Sequence, residues 1–287
     1  KLTMKKIIIV CFSLLAVSLV ACEKEYSIEN NPEDNAQIVG VDCRISKVIY
    51  TDTASHKGLG SLTALIDSQD IVTRITAYDS VSNTIEFRAD PFITNDTIHI
   101  NANEYFIMDV NNRITRLHGL SDPTDPLSAQ FDAAYFYNAT GYLTSKIYSY
   151  TAAPGIPFYR VTYTYSNNNL TQMAATDLGS GNLVSNASME YYPEIVPRRY
   201  IYIFPDEIKY SFYNQFYNFG EKAHNAIKKL TVRNFNPGNV PRDSAVSNFS
   251  NYIMSRDTYV FSVQMSGNPQ PSIPALASKL DFSYSCK

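Results

Sequence analysis

The sequence predicts a mainly β protein: an elongated antiparallel β meander of repeated hairpins with a small helical insert near residues 205–228. Three observations carry that prediction. Past residue 42 the chain consists of short runs rich in Ile, Val, Thr, Tyr and Phe, separated by Asn, Asp, Gly, Ser and Pro, which is the composition of strands and turns. The runs follow one another too closely for crossover helices, so neighbours are expected to pair antiparallel. One hairpin pattern then recurs three times in succession.

The elements follow in chain order. Residues 1–21 read as a lipoprotein signal peptide: Met4-Lys5-Lys6 supplies the charged start, Ile7 to Val20 an uncharged apolar run, and Leu19-Val20-Ala21-Cys22 the cut site. The apolar run is 14 residues long, short of the roughly 20 that a spanning helix needs. Cys22 is then the lipidated residue, and the expected partner is the membrane itself. Two or three acyl chains, at about 0.8 kcal/mol per buried methylene, make such an anchor nearly permanent. Residues 22–42 read as a flexible tether, polar and acidic around Asn30-Asn31-Pro32-Glu33-Asp34-Asn35.

Residues 43–287 are expected to form a single β-rich domain. Its strand-like runs are Cys43 to Tyr50, Ile71 to Asp79, Thr84 to Asp90, Thr97 to Asn101, Tyr105 to Asp109, Arg113 to His118 and Ala134 to Asn138. They continue with Tyr142 to Tyr150, Phe158 to Ser166, Leu170 to Ala175, Ser188 to Tyr192, Leu230 to Phe235, Tyr259 to Met265 and Lys279 to Cys286. The three repeated turns are Asp109-Val-Asn-Asn112-Arg-Ile114-Thr115, Asn138-Ala-Thr-Gly141-Tyr-Leu143-Thr144 and Ser166-Asn-Asn168-Asn-Leu170-Thr171. Asn112, Gly141 and Asn168 stand two residues before the aliphatic position, and these residue types tolerate the left-handed backbone that such loops require.

Between Phe204 and Gly220, Ile208, Phe212, Phe216 and Phe219 fall on one face of a helix that Pro205-Asp206-Glu207 would start and Gly220 would stop. A second short helix is expected from Glu221 to Lys228.

Composition narrows the function. Loss of Lys1, Lys5 and Lys6 with the signal leaves 21 basic residues against 27 acidic ones, a net charge of −6. Without a basic stripe there is no electrostatic footprint for nucleic acid. Cys11 leaves with the signal and Cys22 carries lipid, so Cys43 and Cys286 remain of the four cysteines. In an oxidising envelope such a pair forms a disulfide; the alternative is two reduced thiols that never meet.

These features resemble the uncharacterised cell-surface lipoproteins of Bacteroidota, whose bodies are built of hairpins similar to tyrosine-aspartate (YD/RHS-like) repeats. The resemblance rests on the Ala21-Cys22 lipobox with its acidic tether and on the aromatic strand followed by an Asn- or Gly-bearing turn and Leu-Thr or Ile-Thr. It also rests on Tyr217-Asn218-Phe219-Gly220 with Asn225-Ala226-Ile227-Lys228, and on Ser255-Arg256-Asp257 with Tyr259-Val260. The invariant Tyr-Asp pairing of true YD repeats is absent. The resemblance implies a long β-sheet on a lipid anchor in the outer membrane, and no activity. Thr53, Ser80, Thr97 and Ser244 each follow an Asp and precede an aliphatic or small residue, similar to the O-glycosylation sequon of exported proteins in that phylum.

No catalytic motif stands out. His56, His99, His118 and His224 lack zinc-site spacing, and neither a nucleophile elbow nor a phosphate loop occurs; no metal and no cofactor is expected. Tyr135, Tyr137, Tyr148, Tyr150, Tyr159, Tyr163 and Tyr165 recur in successive strands, and Tyr137, Tyr163 and Tyr165 are the candidate binding face for a glycan or protein ligand. Cross-strand packing explains the same tyrosines without a ligand. The expected function is a non-enzymatic envelope binding or scaffold module; the alternatives are an envelope glycan hydrolase and a structural subunit of an outer-membrane complex.

Overall fold

The computed structural model describes residues 43–120, 129–153, 155–198, 211–267 and 277–286. Cys22 and the tether lie outside the described residues, as do residues 205–210 of the expected helical insert. The strands are β1 (Cys43–Asp52), β2 (Lys57–Ile66), β3 (Val72–Asp79), β4 (Thr84–Ala89), β5 (Phe92–Thr94), β6 (Thr97–His99), β7 (Tyr105–Met108), β8 (Ile114–Leu120) and β9 (Gln130–Tyr137). They continue as β10 (Leu143–Tyr150), β11 (Pro157–Ser166), β12 (Asn169–Asp177), β13 (Leu183–Tyr191), β14 (Ile227–Asn236), β15 (Val240–Met254), β16 (Val260–Gly267) and β17 (Lys279–Cys286). All belong to one antiparallel sheet of 17 strands, so the domain is the mainly β meander that its sequence predicts.

Each strand pairs with its sequence neighbour from β1 to β4 and again from β5 to β17, and β17 returns to β1. A disulfide joins Cys43 to Cys286 at the end of that last ladder, as the cysteine count predicts. The two edges are β4, laddered to β3, and β5, laddered to β6, which make no ladder with each other among the described residues. Both edges are blunted against further pairing. A register shift interrupts β4 opposite Ala77 and Tyr78, Pro91 and three-residue β5 follow it, and Asp90 draws Arg74 and Arg88 to the rim (2.5 and 3.1 Å).

Register separates two chemically distinct faces. One row runs Tyr163, Met173, Ala187 and Val232 across β11 to β14, and all four are buried. The adjacent row runs Ser145, Thr162, Ala174, Asn186, Arg233 and Ser244 across β10 to β15 and faces water. Side chains alternate along a strand, so these rows sample the two faces of the sheet. The inward face of nearly every strand feeds one core cluster. Phe87 of β4 and Phe106 of β7 both meet Tyr213 edge-on, with centroids 6.2 and 5.3 Å away; the two ends of the sheet therefore curl round the same filling. Fully buried aliphatics such as Ile114, Leu117, Leu170 and Leu230 each contribute about 1.5–3 kcal/mol.

Lys146 of β10 is an inward exception, 2% exposed. Its ammonium lies 5.3 and 5.8 Å from the ring centroids of Tyr135 and Tyr163, where the negative ring faces offset part of its lost hydration.

The structure differs from the sequence reading in its secondary structure as follows. The helical insert is, among described residues, one 3₁₀ turn at Ser211–Gln215. Residues 221–226 are non-helical, and Ile227 already belongs to β14; their apolar positions serve an extended segment whose backbone bonds go to hairpin turns, described below. Strand β2, interrupted by Gly58 and Gly60, is missing from the strand-like runs, yet Gly60 sits where a Cβ would lie 2.6 Å from the Tyr78 carbonyl oxygen. The polar outward side of β15, with Pro241 near its start, hides a 15-residue strand.

Candidate functional site

Each residue of the hairpin repeat has a structural task. Asn112, Gly141 and Asn168 have φ of 57, 89 and 61°, and the aliphatic positions Ile114, Leu143 and Leu170 are buried. Asp109 Oδ1 accepts from the amides of Asn111 and Arg113, and Asn138 Oδ1 from those of Thr140 and Tyr142, closing the loops as Asx turns. Thr115, Thr144 and Thr171 donate their hydroxyls across the ladder to the carbonyls of Ile107, Phe136 and Thr164. A tyrosine of the next strand then donates to the carbonyl near the start of the previous one: Tyr137 to Ile114, Tyr191 to Leu170, Tyr252 to Ile227 and Tyr284 to Val260, at 2.5–2.7 Å.

The same three turns hold the connection between β13 and β14. The Ile114 amide donates to Asn218 O (2.8 Å), the Glu221 amide to Gly141 O (2.9 Å) and the His224 amide to Asn168 O (3.0 Å). Anchors three residues apart match hairpins two strands apart, because three extended residues span about 10 Å and two strand spacings about 9.5 Å. Residues 216–226 thus form a strap across one end of the sheet. A buried amide pair locks its far end: Asn169 Nδ2 donates to Asn225 Oδ1 (2.9 Å) and the Asn225 amide to Asn169 Oδ1 (2.8 Å).

Under the strap lies a cavity of about 580 Å³. Its walls come from the start of β1 (Arg44, Ile45), the β9–β10 turn (Tyr142), the strand exit at Val196 to Arg198, the 3₁₀ turn and the strap itself. Arg44, Arg198 and Lys222 carry fixed positive charge, and Glu221 is the single carboxylate among the described lining residues. Asp70 holds Arg44 at 3.1 Å, and the Arg198 guanidinium lies 5.3 Å from the Tyr259 ring centroid. The Tyr217 hydroxyl is buried with no hydrogen-bond partner. Burial pushes its phenol above the usual range against the pull of Arg44, so it stays a protonated donor. A buried donor left unmade costs about 1–3 kcal/mol, which a native fold retains where a ligand or water satisfies it.

The tyrosines named from the sequence do not form an exposed face, which corrects that expectation. Tyr163 is 6% exposed and faces Lys146. Tyr137 and Tyr165 pack against the core. Tyr137 lies beneath the strap, with the Arg113 guanidinium 4.9 Å from its ring centroid, and Tyr165 backs the cavity residue Tyr142 at 4.7 Å. The Tyr137 hydroxyl is held inward on the Ile114 carbonyl.

An outer aromatic row escapes sequence reasoning altogether. Phe92, His99, Tyr105, His118 and Asp132 are successive register partners across β5 to β9. Phe92 stacks on His99 (4.7 Å, 12°), Tyr105 stacks on His118 (4.9 Å, 20°), and His118 Nδ1 meets Asp132 at 3.1 Å. No periodicity marks it, since only strand register brings these residues together. Its rings cover one another's faces, so the row stiffens the edge of the sheet and leaves few ring faces free for a ligand. Among the described residues no group of three or more His, Cys, Asp or Glu converges as for a metal ion.

Of the four sequon hydroxyls, Thr53, Ser80 and Ser244 are exposed and Thr97 is half-buried. Asp52 and Asp79 cap their turns by accepting from the amides of Ala54 and Val81, which gives those Asp residues a conformational reason to be there.

No protein-family model and no curated protein matches the chain. Among solved structures it is similar to a porin-like protein from Bacteroides uniformis, at 13% identity and a TM-score of 0.59, over 84% of this chain and 98% of that one. A porin-like protein from Bacteroides vulgatus is similar at 15% identity and a TM-score of 0.51, over 85% and 99%. These likenesses are of fold.

Proposed function

We propose that this chain is a lipid-anchored envelope lipoprotein whose β domain binds a polymer or protein ligand in the cavity under the strap, without turning it over. The cavity is the observation that carries this reading: it is the place where charged side chains and two tyrosines, Tyr142 and Tyr217, meet at a surface opening. A glycan hydrolase draws on two facing carboxyl groups, and the described lining offers Glu221 alone. The outward row with Asn186 and Arg233 at mid-strand argues against a lipid-facing sheet, where a mid-membrane Arg costs about 2–4 kcal/mol.

Two measurements test it. Cys22→Ala is expected to move the protein from the detergent-rich to the aqueous phase in cloud-point partitioning; unchanged partitioning removes the lipid anchor. Val196→Trp places a bulky ring at the cavity from a position 40% exposed, and the melting temperature is expected to stay within a few degrees. Loss of binding on a glycan and peptide array supports the cavity, and unaltered binding moves the site elsewhere.

A further inference from the structure

We draw no further inference here: the strongest candidate, the exposed apolar side chains Ile85, Phe92 and Ile93 on the sheet edges β4 and β5, carries nothing because it is an unpartnered apolar edge and nothing in the structure shows what covers it.

Discussion

Cys286→Ala lowers the unfolding free energy by about 5 kcal/mol, the loop-closure value for a bridge between residues 243 positions apart. The bond joins the opening residue of β1 to the closing residue of β17. It therefore limits the unfolded chain over nearly the whole domain, while adding little to a ladder that already aligns the same two strands. Cys43 is fully buried and Cys286 is exposed, so changing Cys286 avoids opening the core. Denaturant midpoints of the variant and of the reduced parent should agree. A loss below about 1 kcal/mol in both would mean that the unfolded chain stays compact without the bond.

Gly220→Ala is expected to cost about 3 kcal/mol or more and to detach the strap. Gly220 has φ +88°, and a Cβ there would lie 2.5 Å from the Gly141 carbonyl oxygen and 2.6 Å from a ring carbon of Tyr137. Neither neighbour can yield readily. Gly141 O accepts the Glu221 amide, and the Tyr137 ring is held by its hydroxyl on Ile114 O. The cost combines the left-handed penalty of about 1–2 kcal/mol with a lost backbone hydrogen bond of about 1 kcal/mol and the clash. Gly155→Ala is the control: φ is +87°, and nothing lies within 4 Å of its Cβ, so only the backbone penalty applies. Hydrogen exchange should show the amides of Ile114, Glu221 and His224 losing protection in Gly220→Ala alone. Equal effects of the two substitutions would show that close approach under the strap is unimportant.

The hairpins are legible in the sequence because their determinants are local: Asn112, Gly141 and Asn168 declare the turn, and Ile114, Leu143 and Leu170 declare the buried side. The strap is not legible. Phe216, Phe219, Ala223 and Ala226 are spaced as on a helix face, but what orders residues 218, 221 and 224 is the set of acceptors and donors that three distant turns present. Nor could the sequence indicate which way the tyrosines point, since Tyr137 and Tyr163 follow the same alternation as a solvent-facing row would. The cavity draws Arg44, Tyr142, Arg198 and Tyr217 from four separate places in the chain, and no spacing links them.

The three-residue step of the strap has a consequence for how such a protein can change in length. One further hairpin in the β7 to β12 stretch adds two strand widths at the strapped end and calls for three more strap residues; deletion of one leaves three residues slack. Insertions at the opposite end, such as the loops at residues 150–157 and 178–182, carry no such debt. Strap length and hairpin number are therefore two readings of one ruler, and compensated changes in both are the ones the architecture tolerates.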